Sequence, residues 1–404
     1  MRLEALIPLY GGYTLCRDDG VIFLRGALPG EVVEAEIVEK KRDYSVASVR
    51  EVTEPSADRI EPDCPVFGTC GGCHYQYITY ERQVRMKEEI VLDCMERIGK
   101  TTVTLESALV SSPWHYRKRA QFKVSPDGRI GFYRRQSNDV VELDGCLLLG
   151  PEINALLGRI RAAGVPRGVK EIHVHSGDVL LASVRGDTFD RAAAVEMLRN
   201  AGASGIVFDD GTAEGAERIC LDLLGYHYMV SAGSFFQVNW ELNKRLVSEV
   251  ASFAEAIRPA KVIDLYSGAG NFSIPLSPFA AEISAVEESP AAFRDARDNM
   301  ELNRIGNVRT VNAKVEEFDP GSGADMIVLD PPRSGLTRRV LETVAAASPA
   351  WIVYVSCNPS TFARDVAGLK GRYTVDSVRV VDMFPQTYHI EVLGILKRNG
   401  SSAG

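Results

Sequence analysis

The spacing of hydrophobic and polar positions changes along the chain and predicts different elements in successive stretches. Residues 1–58 contain β-rich runs separated by turn residues, as in "DDG" and "LPGE". Short strands punctuated in this way predict a small β-barrel. A proline-containing linker follows, and the apolar positions of residues 78–98 have the spacing of an amphipathic helix. Residues 110–235 then mix short strands with one or two helical patterns.

From about residue 240 onward the pattern becomes regular. Residues 239–256 predict a helix, and short apolar runs then recur between helical patterns in "KVIDLYSGAG", "EISAVEES", "NVRTVNAK", "DMIVLDPPRSG" and "WIVYVSCNP". Strands that alternate with helices predict βαβ units and a mostly parallel sheet. We therefore expect an α/β protein with a small β-barrel at residues 1–58, a mixed central domain at residues 59–238 and an α/β domain at residues 239–404.

Composition and charge narrow the classes of protein that fit this pattern. The chain is 45% hydrophobic and 25% charged, which is typical of soluble globular proteins. No apolar run reaches the roughly 18 residues of a membrane helix, and the N-terminus lacks the pattern of a signal peptide. We expect a cytoplasmic monomer without a membrane partner. The net charge of −8 argues against a globally basic nucleic-acid binder but leaves room for a local basic surface.

Three of the eight cysteines form a close group. Cys64, Cys70 and Cys73 have the spacing C-x5-C-x2-C, and Cys146 is the candidate for a fourth ligand. Disulfides are rare in a reducing cytosol, so such a group indicates a metal site. Zinc and iron–sulfur sites both use clustered thiolates, and the spacing alone leaves both open.

A glycine-bearing turn follows the first predicted strand of the α/β domain. In "VIDLYSGAGNFS", Gly268 and Gly270 allow a close backbone approach to a ligand, and Asp264 stands near the strand end. Glu287 ends the next strand, where an acid can hydrogen-bond a ribose diol. This pattern lacks the third glycine of the dinucleotide fingerprint and indicates S-adenosylmethionine binding. The alternative is an ordinary βα turn.

Two further strand ends carry candidate chemistry. Asp330 in "VLDPPRSG" and Cys357 in "VSCNP" follow successive strands, so both are expected at the carboxyl edge of the sheet. A free cysteine is more often a buried core residue, but at this edge Cys357 is placed as a nucleophile. Glu391 in "QTYHIE" is a candidate general base, although a lone glutamate there is most often a surface residue.

Basic and aromatic side chains are interleaved between the cysteines. Residues 113–135 carry seven Lys or Arg and one acid, together with five aromatic residues. Basic groups bind phosphates and aromatic rings stack on unpaired bases, so this stretch predicts RNA contact. The alternative is a solvated strand pair with core aromatics.

Taken together, these motifs resemble the RNA (uracil-5-)-methyltransferase family. "SFFQVN", "DLYSGAGNF", "DPPRSG", "SCNP" and "QTYHIE" occur in the family's order, residues 1–58 resemble its OB-like TRAM domain, and "CPVFGTCGGCHYQ" resembles its iron–sulfur segment. The resemblance implies a Rossmann-like class I methyltransferase domain. It also implies a [4Fe-4S] cluster on Cys64, Cys70, Cys73 and Cys146. The residues that it places at the cofactor are Gln237, Tyr266, Asn271, Glu287 and Asp330.

The resemblance also implies a reaction. The Cys357 thiolate adds to C6 of a uracil, C5 takes the methyl group of S-adenosylmethionine, and Glu391 removes the C5 proton, while Asp330 orients the base. The TRAM-like and cysteine segments resemble the 23S rRNA branch of the family. A tRNA substrate is the second candidate and a 5-methylcytosine enzyme a weaker one. An RNA-binding protein with an inactive methyltransferase fold is the alternative from another class.

Overall fold

The computed structural model describes residues 1–400 of the chain. Residues 401–404, the end of the predicted domain at residues 239–404, lie outside the described residues. The described part contains three larger β-sheets, one two-stranded sheet and eight α-helices. No helix within it is long and apolar enough to cross a membrane.

The N-terminal stretch forms a six-stranded sheet in the order β1-β5-β6-β4-β3-β2. Its strands are β1 (Arg2–Glu4), β2 (Ile7–Leu9), β3 (Tyr13–Asp18), β4 (Gly20–Arg25), β5 (Val32–Lys40) and β6 (Ser45–Glu54). Only the β4–β6 pair is parallel. Side chains alternate along β3, with Thr14 and Cys16 buried, so one face of the sheet covers a small core of its own. The predicted β-rich N-terminal unit is confirmed.

Helix α1 (Tyr80–Arg97) lies within the predicted helix at residues 78–98. Its buried face includes Ile90, Val91 and Cys94, which pack in the same core as the strands of the C-terminal sheet. Strand β7 (Leu105–Leu109) pairs with an edge strand of that sheet. Residues 80–109 thus pack against the C-terminal sheet, whereas the sequence assigned them to the central domain. The pattern shows that a helix has an apolar face but not which core covers it.

The central sheet has seven strands in the order β10-β9-β8-β11-β12-β13-β14. These are β8 (Arg119–Val124), β9 (Ile130–Tyr133), β10 (Val140–Glu142), β11 (Val169–Ser176), β12 (Leu180–Gly186), β13 (Gly205–Phe208) and β14 (Ala213–Gly215). Helices α2 (Pro151–Ala163) and α3 (Arg191–Ala201) pack in the same core. A hairpin of β15 (Arg218–Leu223) and β16 (Tyr226–Ser231) joins the core of the next sheet.

The C-terminal sheet has eight strands in the order β19-β18-β17-β20-β21-β23-β22-β7. The new strands are β17 (Lys261–Leu265), β18 (Glu282–Glu287), β19 (Val308–Asn312), β20 (Met326–Leu329), β21 (Trp351–Ser356), β22 (Tyr373–Val381) and β23 (Glu391–Arg398). The helices are α4 (Trp240–Ile257), α5 (Ser273–Leu276), α6 (Pro290–Leu302), α7 (Arg338–Ala347) and α8 (Pro359–Leu369), with one 3₁₀ turn at Val315–Glu317.

Strands β17 to β21 are parallel, and β23 is antiparallel to both of its neighbours. Strand β20 is buried at all four positions, as expected for a sheet with helices on both faces. The strand order reverses beside β17, and ligands of open α/β sheets bind at such a switch point. The expected Rossmann-like fold is confirmed, and its switch point is where the glycine-bearing turn lies.

Candidate active site

A cavity of about 640 Å³ opens at the carboxyl ends of β17, β18, β20 and β21. Most of the predicted site residues line it: Gln237, Tyr266, Gly268, Asn271, Glu287, Asp330, Cys357 and Glu391. They come together because parallel strands end at one edge of the sheet. Asp264 and Gly270 do not line the cavity.

The glycine-bearing turn is hydrogen-bonded to Glu287, the last residue of the next strand, β18. The Gly268 N–H donates to Glu287 Oε2 at 2.9 Å, and the Ser289 N–H donates to Oε1 at 2.7 Å. Tyr266 and Gly268 have positive φ values of 65° and 57°, so the chain reverses sharply after β17. The Glu287 carboxylate therefore sets the shape of the turn and also faces the cavity.

Asp264 and Gly270 make contacts within this turn and do not face the cavity. Asp264 is fully buried, and its Oδ2 accepts hydrogen bonds from the Ser273 N–H at 3.0 Å and from the Ser273 hydroxyl at 2.5 Å. Burial raises the pKa of Asp264 to about 7. A side chain on Gly270 would come within 3.1 Å of Ile274. The structure thus gives these two residues contacts inside the turn, where the sequence predicted contact with a ligand.

Asn271 is held by a matching amide on α4. The Asn243 amide donates to Asn271 Oδ1 at 2.8 Å, and the Asn271 amide donates to Asn243 Oδ1 at 3.1 Å. Asn243 is fully buried. This reciprocal pair fixes the side chain of Asn271 at the cavity wall, and α4 thereby supports the cofactor side of the site.

Strand pairing brings the two main catalytic candidates together. Cys357 directly follows β21, and Ser356 lies opposite Val392 in the antiparallel partner β23. One position further along this register, Cys357 comes beside Glu391. Glu391 is only 3% exposed, so it is not the surface residue that its motif alone would suggest. The thiol and the carboxylate are therefore neighbours although they are far apart in sequence.

Burial and the repulsion between like charges raise the pKa values of Cys357, Glu391 and Asp330. Burial, together with the Glu391 and Asp330 carboxylates, raises the pKa of Cys357 to about 11, although the charge of Arg333 acts to lower it. Burial and the charge of Asp330 hold the pKa of Glu391 well above its usual range. Burial also raises the pKa of Asp330. Arg333 is thus the nearby cation that favours the thiolate.

Arg333 and His389 are cavity residues that the predicted set did not include. The Arg333 guanidinium donates to His389 Nδ1 at 3.1 Å. A guanidinium can only donate, so Nδ1 accepts and the neutral ring carries its proton on Nε2. Burial, aided by the charge of Arg333, lowers the pKa of His389 to about 3. A neutral N–H donor is therefore available in the site. The sequence signal that could have identified His389 is its position in "QTYHIE", two residues before Glu391.

One contact to the site comes from the N-terminal sheet. The Tyr10 hydroxyl donates to the backbone carbonyl of Cys357 at 3.3 Å, and the Tyr10 ring meets the Tyr388 ring edge to face. The two residues in this hydrogen bond are separated by 347 positions in the chain. No local pattern in the sequence could have found this contact.

The four predicted metal ligands line a second, smaller cavity. Cys64, Cys70, Cys73 and Cys146 surround a space of about 60 Å³ whose remaining wall is mostly apolar, with Arg117 at its edge. Burial raises the pKa of Cys73 to about 12 and also raises the pKa values of Cys70 and Cys146. Within residues 1–400 no three His, Cys, Asp or Glu side chains are grouped closely enough to hold a metal ion. The four thiols therefore face one space but do not share a single metal ion as they stand, and four cysteine thiolates are also the donor set of iron–sulfur clusters, which hold several iron atoms.

The basic segment lies partly in the core and partly on an open surface. Phe122 is fully buried and stacks on Phe132, so these rings belong in part to the core, as the alternative interpretation required. A broad cavity of about 690 Å³ lies between this segment and the N-terminal sheet. It is lined by basic and aromatic residues, which include Arg25, Lys123, Arg134, Arg135, Tyr13, Tyr133 and Tyr388.

Fold and site together define a class I methyltransferase with a thiol and a carboxylate at the cofactor edge. The chain matches the family described as "tRNA (Uracil-5-)-methyltransferase" over residues 190–324 and 322–399. The chain belongs to this family, as its motifs predicted. It is an RNA uracil-C5 methyltransferase of the S-adenosylmethionine-dependent class.

Several relatives are similar over nearly the whole chain. An uncharacterized RNA methyltransferase of Aquifex aeolicus is 37% identical, and the match covers 98% of each chain. A protein of Alkalilimnicola ehrlichii named 23S rRNA (uracil(1939)-C(5))-methyltransferase RlmD is 35% identical over 94% of this chain and 92% of its own. The solved structure of Pyrococcus abyssi tRNA (uracil-54, C5)-methyltransferase with S-adenosyl-L-homocysteine is 25% identical. It has a TM-score of 0.78 and covers 98% of this chain and 100% of that chain.

Proposed function

We propose that this protein methylates C5 of a uridine in 23S ribosomal RNA. The observation that carries the chemical part is the placement of Cys357 beside the buried Glu391 in the cavity that the glycine-bearing turn also lines. The choice of 23S rRNA is supported by the 35% identical relative that bears this activity in its name. The cysteine group and the N-terminal sheet, which resembles a TRAM domain, agree with that choice.

In the proposed reaction the enzyme first makes the uracil a better nucleophile. The Cys357 thiolate forms a bond to C6, and the electrons of the C5–C6 double bond move toward O4 as an enolate. Covalent addition of this kind divides one difficult step into two easier ones. The neutral His389 N–H and the Arg333 cation are the donors available to stabilise the negative charge that develops.

The second half of the reaction restores the base. S-adenosylmethionine, when bound, supplies an electrophilic methyl group. C5 takes up that methyl group, the Glu391 carboxylate removes the C5 proton, and the C5–C6 double bond re-forms as the thiolate leaves C6. A carboxylate whose pKa is raised by burial is a stronger base than one in water, which suits this role. Asp330 lies in the same cavity and is proposed to orient the base.

The cofactor is proposed to lie along the turn. Tyr266, Gly268 and Asn271 border its methionine part, and Glu287 hydrogen-bonds its ribose. Gln237, which is buried and lines the same cavity, is the remaining proposed contact. To reach Cys357 in this cavity the target base must leave its stack.

We also propose that Cys64, Cys70, Cys73 and Cys146 bind a [4Fe-4S] cluster. The four thiols line one cavity, and the identity of the metal rests on the resemblance of the segment to the family's iron–sulfur segment. Methyl transfer moves no electrons, so a structural or RNA-recognition role suits the cluster better than a redox role. The nearby cavity with Lys123, Arg134 and Arg135 is the proposed surface for the RNA backbone.

The experiment is methyl transfer from labelled S-adenosylmethionine to unmodified 23S rRNA and to unmodified tRNA, assayed side by side. The modified nucleoside is identified by mass spectrometry. We expect 5-methyluridine in 23S rRNA. Label in tRNA alone would keep the mechanism and make tRNA the substrate, the second candidate, which the similarity to the Pyrococcus abyssi enzyme favours. Label found in 5-methylcytidine would contradict the proposed base, and no label in either RNA would favour a binding protein.

A further inference from the structure

One cation in the catalytic cavity has no role in the chemistry above. Arg119 stands at the start of β8, where its backbone pairs with His175 of β11. Its side chain lines the cavity that also contains Cys357 and Glu391. The central sheet thus delivers a guanidinium into a site built mainly by the C-terminal sheet.

The guanidinium of Arg119 has no hydrogen-bond or ion-pair partner among residues 1–400. By contrast, Arg333 in the same cavity is bonded to His389. Burial and the neighbouring charge of Arg117 lower the pKa of Arg119 to about 10. Partial burial of a cation without an anion costs free energy, so such a group in a cleft indicates an anionic ligand.

An aromatic ring lies directly beside this cation. The Arg119 guanidinium lies 4.5 Å from the centre of the Phe235 ring and 5.9 Å from that of Phe236. Phe236 is buried, whereas Phe235 is 57% exposed and has one face free for a further contact. An exposed phenylalanine at a cavity mouth costs free energy in water and offers a surface on which a base can stack.

Two kinds of anion enter this cavity if the proposed function is correct. These are the carboxylate of S-adenosylmethionine and the phosphates of the RNA strand. S-adenosylmethionine also carries a carboxylate and an adenine, but the residues proposed to bind it follow strands β17 and β18 of the C-terminal sheet. Arg119 instead belongs to the basic and aromatic stretch at residues 113–135, whose composition favours RNA. We propose, resting on the proposed function, that Arg119 binds an RNA phosphate next to the target uridine while Phe235 stacks on a neighbouring base.

The test separates RNA binding from cofactor binding. In Arg119→Gln, we measure the affinity for unmodified 23S rRNA and tRNA transcripts at several salt concentrations, and the affinity for S-adenosylhomocysteine by calorimetry. We expect RNA binding to weaken about tenfold or more, with the salt slope reduced by about 1, and S-adenosylhomocysteine affinity unchanged. Arg119→Lys keeps the charge but loses the planar set of guanidinium donors. We therefore expect an intermediate loss of RNA affinity with the wild-type salt slope.

Arg185→Gln is the matched control, because Arg185 is an exposed arginine of the same sheet that is paired with Asp209. It removes the same charge and should leave both affinities at the wild-type value. A fall in S-adenosylhomocysteine affinity with unchanged RNA affinity would assign Arg119 to the cofactor and overturn the proposal, as would no change in either. Wild-type methyl transfer, measured separately, tests the proposed function whatever Arg119 does.

Discussion

At the scale of single residues, the proposed reaction depends on two groups that line the same cavity. In that reaction Cys357 acts as a thiolate and Glu391 as a carboxylate, yet the charge of Glu391 raises the pKa of Cys357 and so disfavours the thiolate. The two charges are needed at different steps, since the thiolate is consumed in the S–C6 bond before the carboxylate removes the proton. Formation of that bond removes the thiolate charge and so favours ionisation of Glu391.

Glu391→Gln should separate these two steps. We expect Cys357 still to add to the uracil and methyl transfer to occur, but the loss of the base should slow release of product by about 10²- to 10⁴-fold. A covalent protein–RNA complex should then accumulate on denaturing gels with ordinary RNA. Glu255→Gln, at an exposed position of α4, is the control and should accumulate none. Normal turnover by the Glu391→Gln variant would show that another group is the base.

Arg333 should govern the ionisation of Cys357. Burial raises the pKa of the thiol to about 11, so the thiolate fraction falls about tenfold for each pH unit below that value. Arg333→Gln removes the favourable cation and should raise the pKa, so that alkylation of Cys357 by iodoacetamide becomes slower at any pH below it. Mass spectrometry of the labelled peptide measures this rate. Alkylation of Cys220, which is remote from Arg333, serves as the internal control and should keep its pH profile.

At the scale of elements, helix α1 holds the loop between β22 and β23, which contributes Phe384 and His389 to the lining of the cavity. Lys87 and Asp382 form a fully buried ion pair at 2.5 Å, and Lys87 Nζ also donates to the carbonyl of Phe384 at 3.1 Å. One helical turn earlier, the Gln83 side chain both donates to and accepts from Gln386, at 3.0 Å each. The ordering of Phe384 and His389 at the cavity therefore depends on a helix from another part of the chain.

Breaking this buried pair should be costly. We expect Lys87→Met to lower the free energy of unfolding by about 3–5 kcal/mol, because Asp382 is left as an uncompensated buried charge. Adding Asp382→Leu to that variant should recover part of the loss, since neither charge then remains. Urea unfolding measures both. Arg97→Ala, which breaks an exposed pair with Asp93 on the same helix, should cost no more than about 1 kcal/mol. An equal cost for both single variants would contradict the structural role of the buried pair.

At the scale of the whole molecule, the loop between β22 and β23 is contacted both by the N-terminal residue Tyr10 and by the cysteine segment. Tyr10 lies edge to face with Tyr388 of this loop and donates to the carbonyl of Cys357. The N–H groups of His74 and Tyr75, which follow Cys73, both donate to the carbonyl of Gln386 in the same loop. The cysteine cavity and the catalytic cavity are therefore joined by one short stretch of backbone. A group bound by the cysteines would stabilise the wall of the active site.

Cys73→Ser tests this connection. We expect the wild-type protein to contain iron and to absorb broadly near ~400 nm, and the variant to lose most of both. Thermal unfolding of the variant should begin at a lower temperature because His74 follows the lost ligand directly. Cys220→Ser, a half-buried cysteine outside the group, should keep the wild-type iron content and stability. A colourless wild-type protein that contains zinc would contradict the iron assignment and leave the methyltransferase unaffected.

Local patterns determined much of this molecule. The alternation of strands and helices after residue 240 predicts the parallel sheet, because each apolar run must be buried between helices. The same rule predicts that Glu287, Asp330 and Cys357 share one edge, since parallel strands end together. The cysteine spacing likewise predicted the group of Cys64, Cys70 and Cys73, and the structure brings these three and the candidate fourth ligand Cys146 around one space.

Only the tertiary structure decided which side chains face the ligand and which partners come from elsewhere. Asp264 stands at a strand end like the others, yet it turns inward to Ser273, because side chains alternate in direction and packing selects the face. Glu391 becomes a neighbour of Cys357 through the antiparallel register of β21 and β23. Arg119 lines the site from the central sheet, and Tyr10 and Lys87 support it from the N-terminal stretch and from α1. Such contacts depend on how separate surfaces pack, which no local periodicity encodes.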